Sequence, residues 1–140
     1  MGRIYAGWAY SQLWLKAERF QDQGFSSLDD WLRRYWDAIY EQRDPGNVTA
    51  MVRTWIGNDV ADGGDLAATL GRIEARTVVM TATSDLYFTP ADCAAEAAMI
   101  RGADYRDLET DWGHMAGSGQ SPADTGVVDA ELRRLLEAPA

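Results

Sequence analysis

Residues 77–90 read TVVMTATSDLYFTP, and this stretch decides how the second half of the chain folds. Its first six residues are mostly β-branched or apolar, which is typical of a strand that is covered on both faces in a parallel sheet. Thr89 and Pro90 then predict a helix over residues 91–100, because a hydroxyl cap followed by proline suits a first helical turn. The stretch therefore predicts a strand, a loop that carries Asp85, and a helix.

The same alternation continues towards the end of the chain. A second, weaker strand is predicted at residues 105–109. The sequence DWGH at residues 111–114 then leads into a glycine-rich loop at residues 113–119. A last helix is predicted from Pro122 to about Glu137. The order strand, helix, strand, loop, helix predicts a βαβα unit with parallel strands, and two such strands do not make a stable sheet alone.

The first half of the chain has a helical pattern instead. Apolar residues repeat at helical spacing over residues 10–20, and residues 48–56 and 65–70 predict two further helices. The strongest stripe lies at residues 28–40, where Ser26 and Ser27 predict a helix cap. We interpret Trp31 and Trp36 in that stripe as packing residues.

Composition excludes several classes of function. The 140 residues carry a formal net charge of −9, which argues against nucleic acid and against anionic membrane surfaces as partners. The sequence contains no apolar run long enough to span a membrane, no signal peptide pattern, and one cysteine, Cys93, which we interpret as a packing residue. We expect a cytoplasmic protein. The single histidine, His114, excludes a multi-histidine metal site, and nothing in the sequence indicates a cofactor.

Asp85 and His114 are the two candidate catalytic residues. Taken alone, Asp85 is best interpreted as a turn former, and His114 is equally well interpreted as an ordinary loop residue. Taken together they follow two successive parallel strands, so both are expected at the same edge of the sheet. An acid that holds a histidine by Nδ1–H, with acid before histidine in the chain, is the arrangement of a hydrolase triad.

The nucleophile of such a triad is missing from the sequence. None of the six serines lies in a Gly-x-Ser-x-Gly pattern between a strand and a helix. Ser84 is more simply interpreted as a residue that shapes the loop of Asp85. We therefore expect the chain alone to have no triad catalysis.

The chain resembles the C-terminal half of α/β-hydrolase-fold proteins of the homoserine O-acetyltransferase type, over roughly residues 8–136. The resemblance rests on RDPGN at residues 43–47, GGDL at residues 63–66, SDLYFTP at residues 84–90 and WGH at residues 112–114. It implies a helical lid or cap at residues 1–75 and the C-terminal portion of the hydrolase core at residues 76–140. It also implies that Asp85 is the triad acid and His114 the triad base.

The resemblance further implies acyl transfer through a Ser-His-Asp triad whose serine lies outside this chain, with a small-molecule acyl donor and acceptor. Proteins of this type usually carry an acid after the histidine, whereas this chain has Met115, so a divergent acyltransferase or an esterase of the same family is as good an expectation as an enzyme that acts on homoserine. The alternative is a non-catalytic interaction module that oligomerises through an unpaired strand edge and its tryptophan-rich helices. On either hypothesis we expect a homo-oligomer.

Overall fold

The computed structural model describes residues 1–137 of the chain. The helical region, residues 1–75, contains α1 (Gly2–Ala9), α2 (Gln12–Lys16), a 3-10 turn (Arg19–Gln21), α3 (Leu28–Trp31), a π-helical segment (Leu32–Asp37), α4 (Ala38–Glu41), α5 (Pro45–Ile56) and α6 (Leu66–Leu70). The α/β region follows, with β1 (Val78–Ala82), α7 (Pro90–Ala97), β2 (Asp104–Leu108), a 3-10 segment (Gly113–Ser118) and α8 (Pro122–Glu137).

The single helix predicted over residues 10–20 is wrong. Ser11 starts a new helix after α1, because its hydroxyl accepts a hydrogen bond from the Trp14 N–H at 3.0 Å. Glu18 then adopts a left-handed backbone with φ of +53°, which separates α2 from the following 3-10 turn. Trp14 and Phe20 are nevertheless both buried, so the pattern identified the buried residues although it missed the break.

Several further boundaries differ from the predictions. Helix α5 begins at Pro45, three residues before its predicted start. β2 begins and ends one residue earlier than predicted, and α7 ends at Ala97 although a helix to Ile100 was predicted. The predicted loop at residues 113–119 contains a 3-10 segment.

The long helical stretch from α3 to α4 is interrupted by its π-helical segment. In a π-helix the hydrogen bonds join residues five apart, so residues i and i+5 come to lie on nearly the same face. Trp31 and Trp36 are five residues apart, and both are buried. In a regular α-helix these two residues would lie at opposite margins of the apolar stripe, and the π-helical segment brings their indoles closer to one face.

The main core of the molecule is an aromatic cluster in the helical region. Its aromatic members pack in edge-to-face, tilted and stacked pairs. The buried members of the cluster are Ala6, Ala9, Tyr10, Trp14, Phe20, Trp31 and Trp36. Burial of six-membered and indole rings on this scale supplies most of the hydrophobic stabilisation of the described residues. The interpretation of Trp31 and Trp36 as packing residues is confirmed.

The sheet has two parallel strands, as predicted. β1 pairs with β2 in a register that places Val78 opposite Asp104 and Ala82 opposite Leu108. Helix α7 makes the crossover between them, as a parallel connection requires. The other edge of β1 has no strand partner within residues 1–137. A small second core of Ala82, Leu108 and Ala116 covers one face of this sheet.

Trp112 joins the two cores, since its ring packs against both. It lies 6.0 Å from the Tyr10 ring and 5.7 Å from the Trp14 ring, measured between ring centroids. The segment after β2 is thereby pressed onto the helical region. No helix of the described residues is long and apolar enough to cross a membrane.

Candidate active site

Asp85 lies three residues beyond the end of β1, in a tight turn, and is 8% exposed. One carboxylate oxygen, Oδ1, accepts hydrogen bonds from the backbone N–H groups of Tyr87 at 2.7 Å and Phe88 at 3.1 Å. The interpretation of Asp85 as a turn former is therefore confirmed. These two bonds fix the plane of the carboxylate and leave its second oxygen, Oδ2, for another partner.

His114 supplies that partner from the loop after β2. Its Nδ1 lies 3.1 Å from Asp85 Oδ2. Because an ionised carboxylate only accepts hydrogen bonds, the geometry requires the proton on Nδ1 and leaves Nε2 as an acceptor. The side chain of His114 is 25% exposed, and its Nε2 has no hydrogen-bond partner among residues 1–137.

Two aromatic rings hold the imidazole in place. The ring of Tyr87 lies 4.9 Å from the His114 ring, and the ring of Phe88 lies 5.2 Å from it, between centroids. Both residues belong to the turn that Asp85 organises. The turn therefore positions the carboxylate of Asp85 and also supplies the two rings that pack against the imidazole of His114. Residues 84–90 thus provide most of the contacts that define the site.

Ser84 ties the two loops of the site together. Its hydroxyl donates to the Thr110 carbonyl at 2.6 Å and accepts from the Gly113 N–H at 3.1 Å. The prediction that Ser84 shapes the loop of Asp85 is confirmed, and its partners lie in the loop of His114. The hydroxyl of Ser84 therefore connects the loops after β1 and β2 directly.

Gly113 is required by the fit of the His114 loop against the helical region. Its φ is +61°, a conformation that residues with a side chain rarely adopt. A Cβ at this position would lie 2.8 Å from the backbone nitrogen of Ser11 and 3.2 Å from the Ala9 carbonyl oxygen. The backbone before His114 thus touches the junction between α1 and α2 directly.

Sequence reasoning missed Asp124, a buried acid that braces the same loop. Asp124 is 6% exposed, and its Oδ2 accepts from the Thr110 hydroxyl at 2.8 Å. The Thr110 oxygen in turn accepts from the Trp112 N–H at 3.1 Å. The signal that could have drawn attention to it is Ser121, which directly precedes the predicted helix and whose hydroxyl accepts from the Asp124 N–H at 3.3 Å.

Gln120 was also missed, and it links the site to the helical region. Its side-chain oxygen accepts from the Tyr10 hydroxyl at 2.9 Å and from Gln23 Nε2 at 3.1 Å. Its nitrogen donates to the Tyr35 hydroxyl at 3.1 Å. Burial raises the pKa of Tyr10, so the phenol stays protonated and remains a donor in this network. The partners of Gln120 lie 85 to 110 residues away along the chain. Residue spacing in the sequence gives no means of predicting contacts between residues so far apart.

The imidazole of His114 borders two cavities. The first, of about 550 Å³, lies between the C-terminal end of α5 and the site and is bordered by Tyr5, Thr54, Trp55, Asn58, Tyr87 and Phe88. The second, of about 370 Å³, lies against the sheet and reaches Met80, Ala82, Cys93 and Val128. Cys93 is half-buried there. Within residues 1–137 no group of three His, Cys, Asp or Glu residues is placed to hold a metal ion.

None of the six serine hydroxyls is hydrogen-bonded to His114. Each makes a hydrogen bond to another residue, as a helix cap, within a turn or between two loops: Ser11, Ser26, Ser27, Ser84, Ser118 and Ser121. The acid and the base are thus brought together within this chain, whereas a serine nucleophile is not.

Comparison with known proteins finds that the chain is similar to esterases. The chain is 35% identical over 136 residues to ethyl acetate hydrolase of Pseudomonas veronii, which covers 96% of this chain and 38% of that protein. It is 33% identical over 136 residues to a probable esterase of Corynebacterium glutamicum, with 96% of this chain and 39% of that protein covered. The chain therefore spans about two-fifths of the length of these relatives. No protein-family model matches it.

Solved structures agree with the sequence matches. The acetyl esterase MekB superimposes with a TM-score of 0.93 at 31% identity, over 98% of this chain and 40% of that chain. An acetylester hydrolase from Corynebacterium glutamicum superimposes with a TM-score of 0.92 at 32% identity, again over 98% and 40%. The predicted fold class is confirmed: this chain has part of an α/β-hydrolase fold, and the relatives that match most of it are esterases.

Proposed function

We propose that this chain supplies the acid and the base of a Ser-His-Asp triad that hydrolyses small acyl esters, with Asp85 as the acid and His114 as the base. One observation carries the proposal. Asp85 Oδ2 lies 3.1 Å from His114 Nδ1, while Nε2 has no partner within residues 1–137 and the His114 side chain borders a cavity. A base needs this arrangement to take a proton from a nucleophile.

The chemistry follows from that arrangement. A serine from polypeptide outside these 140 residues attacks the ester carbonyl carbon while His114 Nε2 takes the hydroxyl proton. The tetrahedral intermediate collapses, the bond to the alkoxy oxygen breaks, and the imidazolium returns the proton to the departing alcohol. Water then attacks the acyl-serine carbonyl carbon while Nε2 takes a proton from the water. The bond to the serine oxygen breaks, and the imidazolium returns the proton to that oxygen. Asp85 stabilises the imidazolium at both stages without itself becoming protonated.

Hydrolysis is favoured over acyl transfer to an amino-acid alcohol by Met115. The side chain of Met115 packs against the aromatic cluster. It offers no charge with which to hold a substrate amine. Acyl transfer remains the second candidate, because 78 residues of the chain are 35% identical to homoserine O-succinyltransferase of Dechloromonas aromatica. The ratio of hydrolysed to transferred acetyl groups, measured with L-homoserine as competing acceptor, distinguishes the two.

The test places the whole 140-residue chain in a complete hydrolase. We would replace the matched 136 residues of ethyl acetate hydrolase by this chain and measure kcat/KM for ethyl acetate. Asp85→Asn should lower it by about 10⁴-fold and His114→Ala by at least as much, as in other triads. The matched control is Asp65→Asn, since Asp65 also accepts a backbone N–H bond but caps α6. A folded, active chimera that is insensitive to both site substitutions would refute the proposal.

A second measurement needs no chimera. In the 140-residue chain, ¹⁵N spectra of His114 should show the Nδ1–H tautomer, and Asp85→Asn should shift the population towards Nε2–H. The unmodified chain should show no serine-dependent hydrolysis of p-nitrophenyl acetate. Hydrolysis that is lost in His114→Ala would contradict the view that the nucleophile comes from elsewhere.

The non-catalytic alternative rests on the edge of β1, which has no strand partner within residues 1–137. Such an edge can pair with another chain. On this hypothesis the protein self-associates, and light scattering would find a dimer or larger species. A clean monomer at micromolar concentration would remove this alternative, whereas the triad proposal does not depend on the result.

A further inference from the structure

The cavity between α5 and His114 is unusual for this acidic molecule, because no carboxylate and no ammonium or guanidinium group borders it. Its walls are mainly aromatic. The rings of Tyr5 and Trp55 each face the Tyr87 ring, at 6.1 Å and 6.5 Å between centroids. Burial raises the pKa of Tyr5, so its phenol is neutral at ordinary pH. Such a space suits an uncharged, partly apolar group.

Several polar side-chain groups at this cavity have no hydrogen-bond partner within residues 1–137. They include His114 Nε2, the phenol oxygens of Tyr5 and Tyr87, and the exposed side-chain amide of Asn58, just beyond the end of α5. Thr54, by contrast, is satisfied, because its hydroxyl donates to the Ala50 carbonyl at 3.0 Å. The imidazole, which can transfer a proton, and the Asn58 carboxamide, which can donate two hydrogen bonds, thus border one largely aromatic cavity.

We infer that this cavity binds the alcohol portion of an uncharged ester, and that Asn58 selects alcohols that carry a second polar oxygen. The inference rests on the proposed function. The imidazolium must pass its proton to the departing alkoxy oxygen, so that oxygen lies against Nε2, and we assign the remainder of the alcohol to the aromatic cavity that His114 borders. An oxygen a few bonds further along can then accept from the Asn58 amide.

The test compares matched substrate pairs in the chimera described above. 2-Hydroxyethyl acetate and propyl acetate differ only in a terminal hydroxyl or methyl group on the alcohol. Asn58→Leu should lower the ratio of kcat/KM for 2-hydroxyethyl acetate to kcat/KM for propyl acetate by about 3- to 10-fold. This is the change expected from the loss of one neutral hydrogen bond. Ethyl 3-hydroxypropanoate and ethyl butanoate, which differ in the acyl group, should keep their ratio. The matched control is Asn47→Leu at the opposite end of α5.

The outcomes separate the two proposals. A chimera that hydrolyses esters with unchanged ratios for the first pair in Asn58→Leu overturns the role of Asn58. A change in the acyl pair instead overturns the assignment of the cavity to the alcohol. Loss of all hydrolysis in the folded chimera before any substitution at residue 58 counts against the proposed function itself.

A charge substitution adds an independent check. Asn58→Asp should raise the kcat/KM ratio of acetylcholine to its uncharged isostere 3,3-dimethylbutyl acetate several-fold, because it places a carboxylate where the choline group would lie. An unchanged ratio would mean that residue 58 does not face the alcohol.

Binding to the 140-residue chain gives a readout without catalysis. Titration with 1,4-butanediol should shift the NMR signals of the Asn58 amide and of the His114 imidazole together, and 1-butanol should shift the imidazole alone. Absence of any shift at His114 with either alcohol would overturn the assignment of the cavity.

Discussion

The helical region and the α/β region are stabilised by different means. The helical region has a large aromatic core in which Tyr10, Trp14 and Trp31 are fully buried. The core of the α/β region consists of two alanines and a leucine, and its loops are held chiefly by hydrogen bonds through Ser84, Thr110 and Asp124. The comparison teaches that the helical region is the rigid support, and that the site is a polar assembly pressed against it.

The largest expected effect tests whether stability depends mainly on the aromatic core. Trp31→Ala should lower the free energy of unfolding by about 3–5 kcal/mol, because it removes a fully buried indole and leaves a cavity. Urea unfolding followed by circular dichroism measures it. The matched control is Trp8→Ala, since Trp8 is 53% exposed and its loss should cost less than about 1 kcal/mol. Equal costs for the two substitutions would show that the core has been wrongly located.

A smaller effect tests the contact between the two regions. Gly113→Ala should lower the free energy of unfolding by about 2–4 kcal/mol. The new Cβ would meet the backbone of Ser11, and residue 113 itself has a positive φ. Gly119→Ala separates these causes, since Gly119 has φ of +81° but open space around it. We expect Gly113→Ala to be the more destabilising and, in the chimera, to lower kcat/KM by displacing His114. Equal effects of the two substitutions would mean that the loop is not pressed against the helices.

The smallest effect concerns pH and the network of Gln120. Burial raises the pKa of Tyr10 in the folded protein, while in the unfolded chain it is about 10. The contribution of the protonated Tyr10 phenol to the stability of the folded protein is therefore fully present below pH 10. It declines above pH 10, because the unfolded chain loses a proton that the folded protein retains. Above pH 10, we expect the free energy of unfolding of the unmodified chain to fall about 1 kcal/mol per pH unit more steeply than that of Tyr10→Phe. Urea unfolding between pH 9 and 11.5 measures the difference. Parallel curves for the two proteins would place Tyr10 outside the buried network.

Much of the fold was predictable because local chemistry determined it. The β-branched run before Asp85, and the caps at Ser27 and Thr89, predicted elements that the structure contains. The pairing of Asp85 with His114 followed from a general rule about parallel strands, since residues after successive strands meet at one edge. These inferences needed only residue type and order along the chain.

The sequence by itself thus determined the βαβα unit, the amphipathic helices and the neighbourhood of the acid and the histidine. Only the tertiary structure decided that a π-helical segment turns Trp31 and Trp36 inward, and that Gln120 and Asp124 brace the histidine loop. It also decided that Asn58 shares a cavity with His114. The physical reason is distance along the chain: caps and strand runs depend on neighbouring residues, whereas burial and long-range hydrogen bonds depend on which helices pack together.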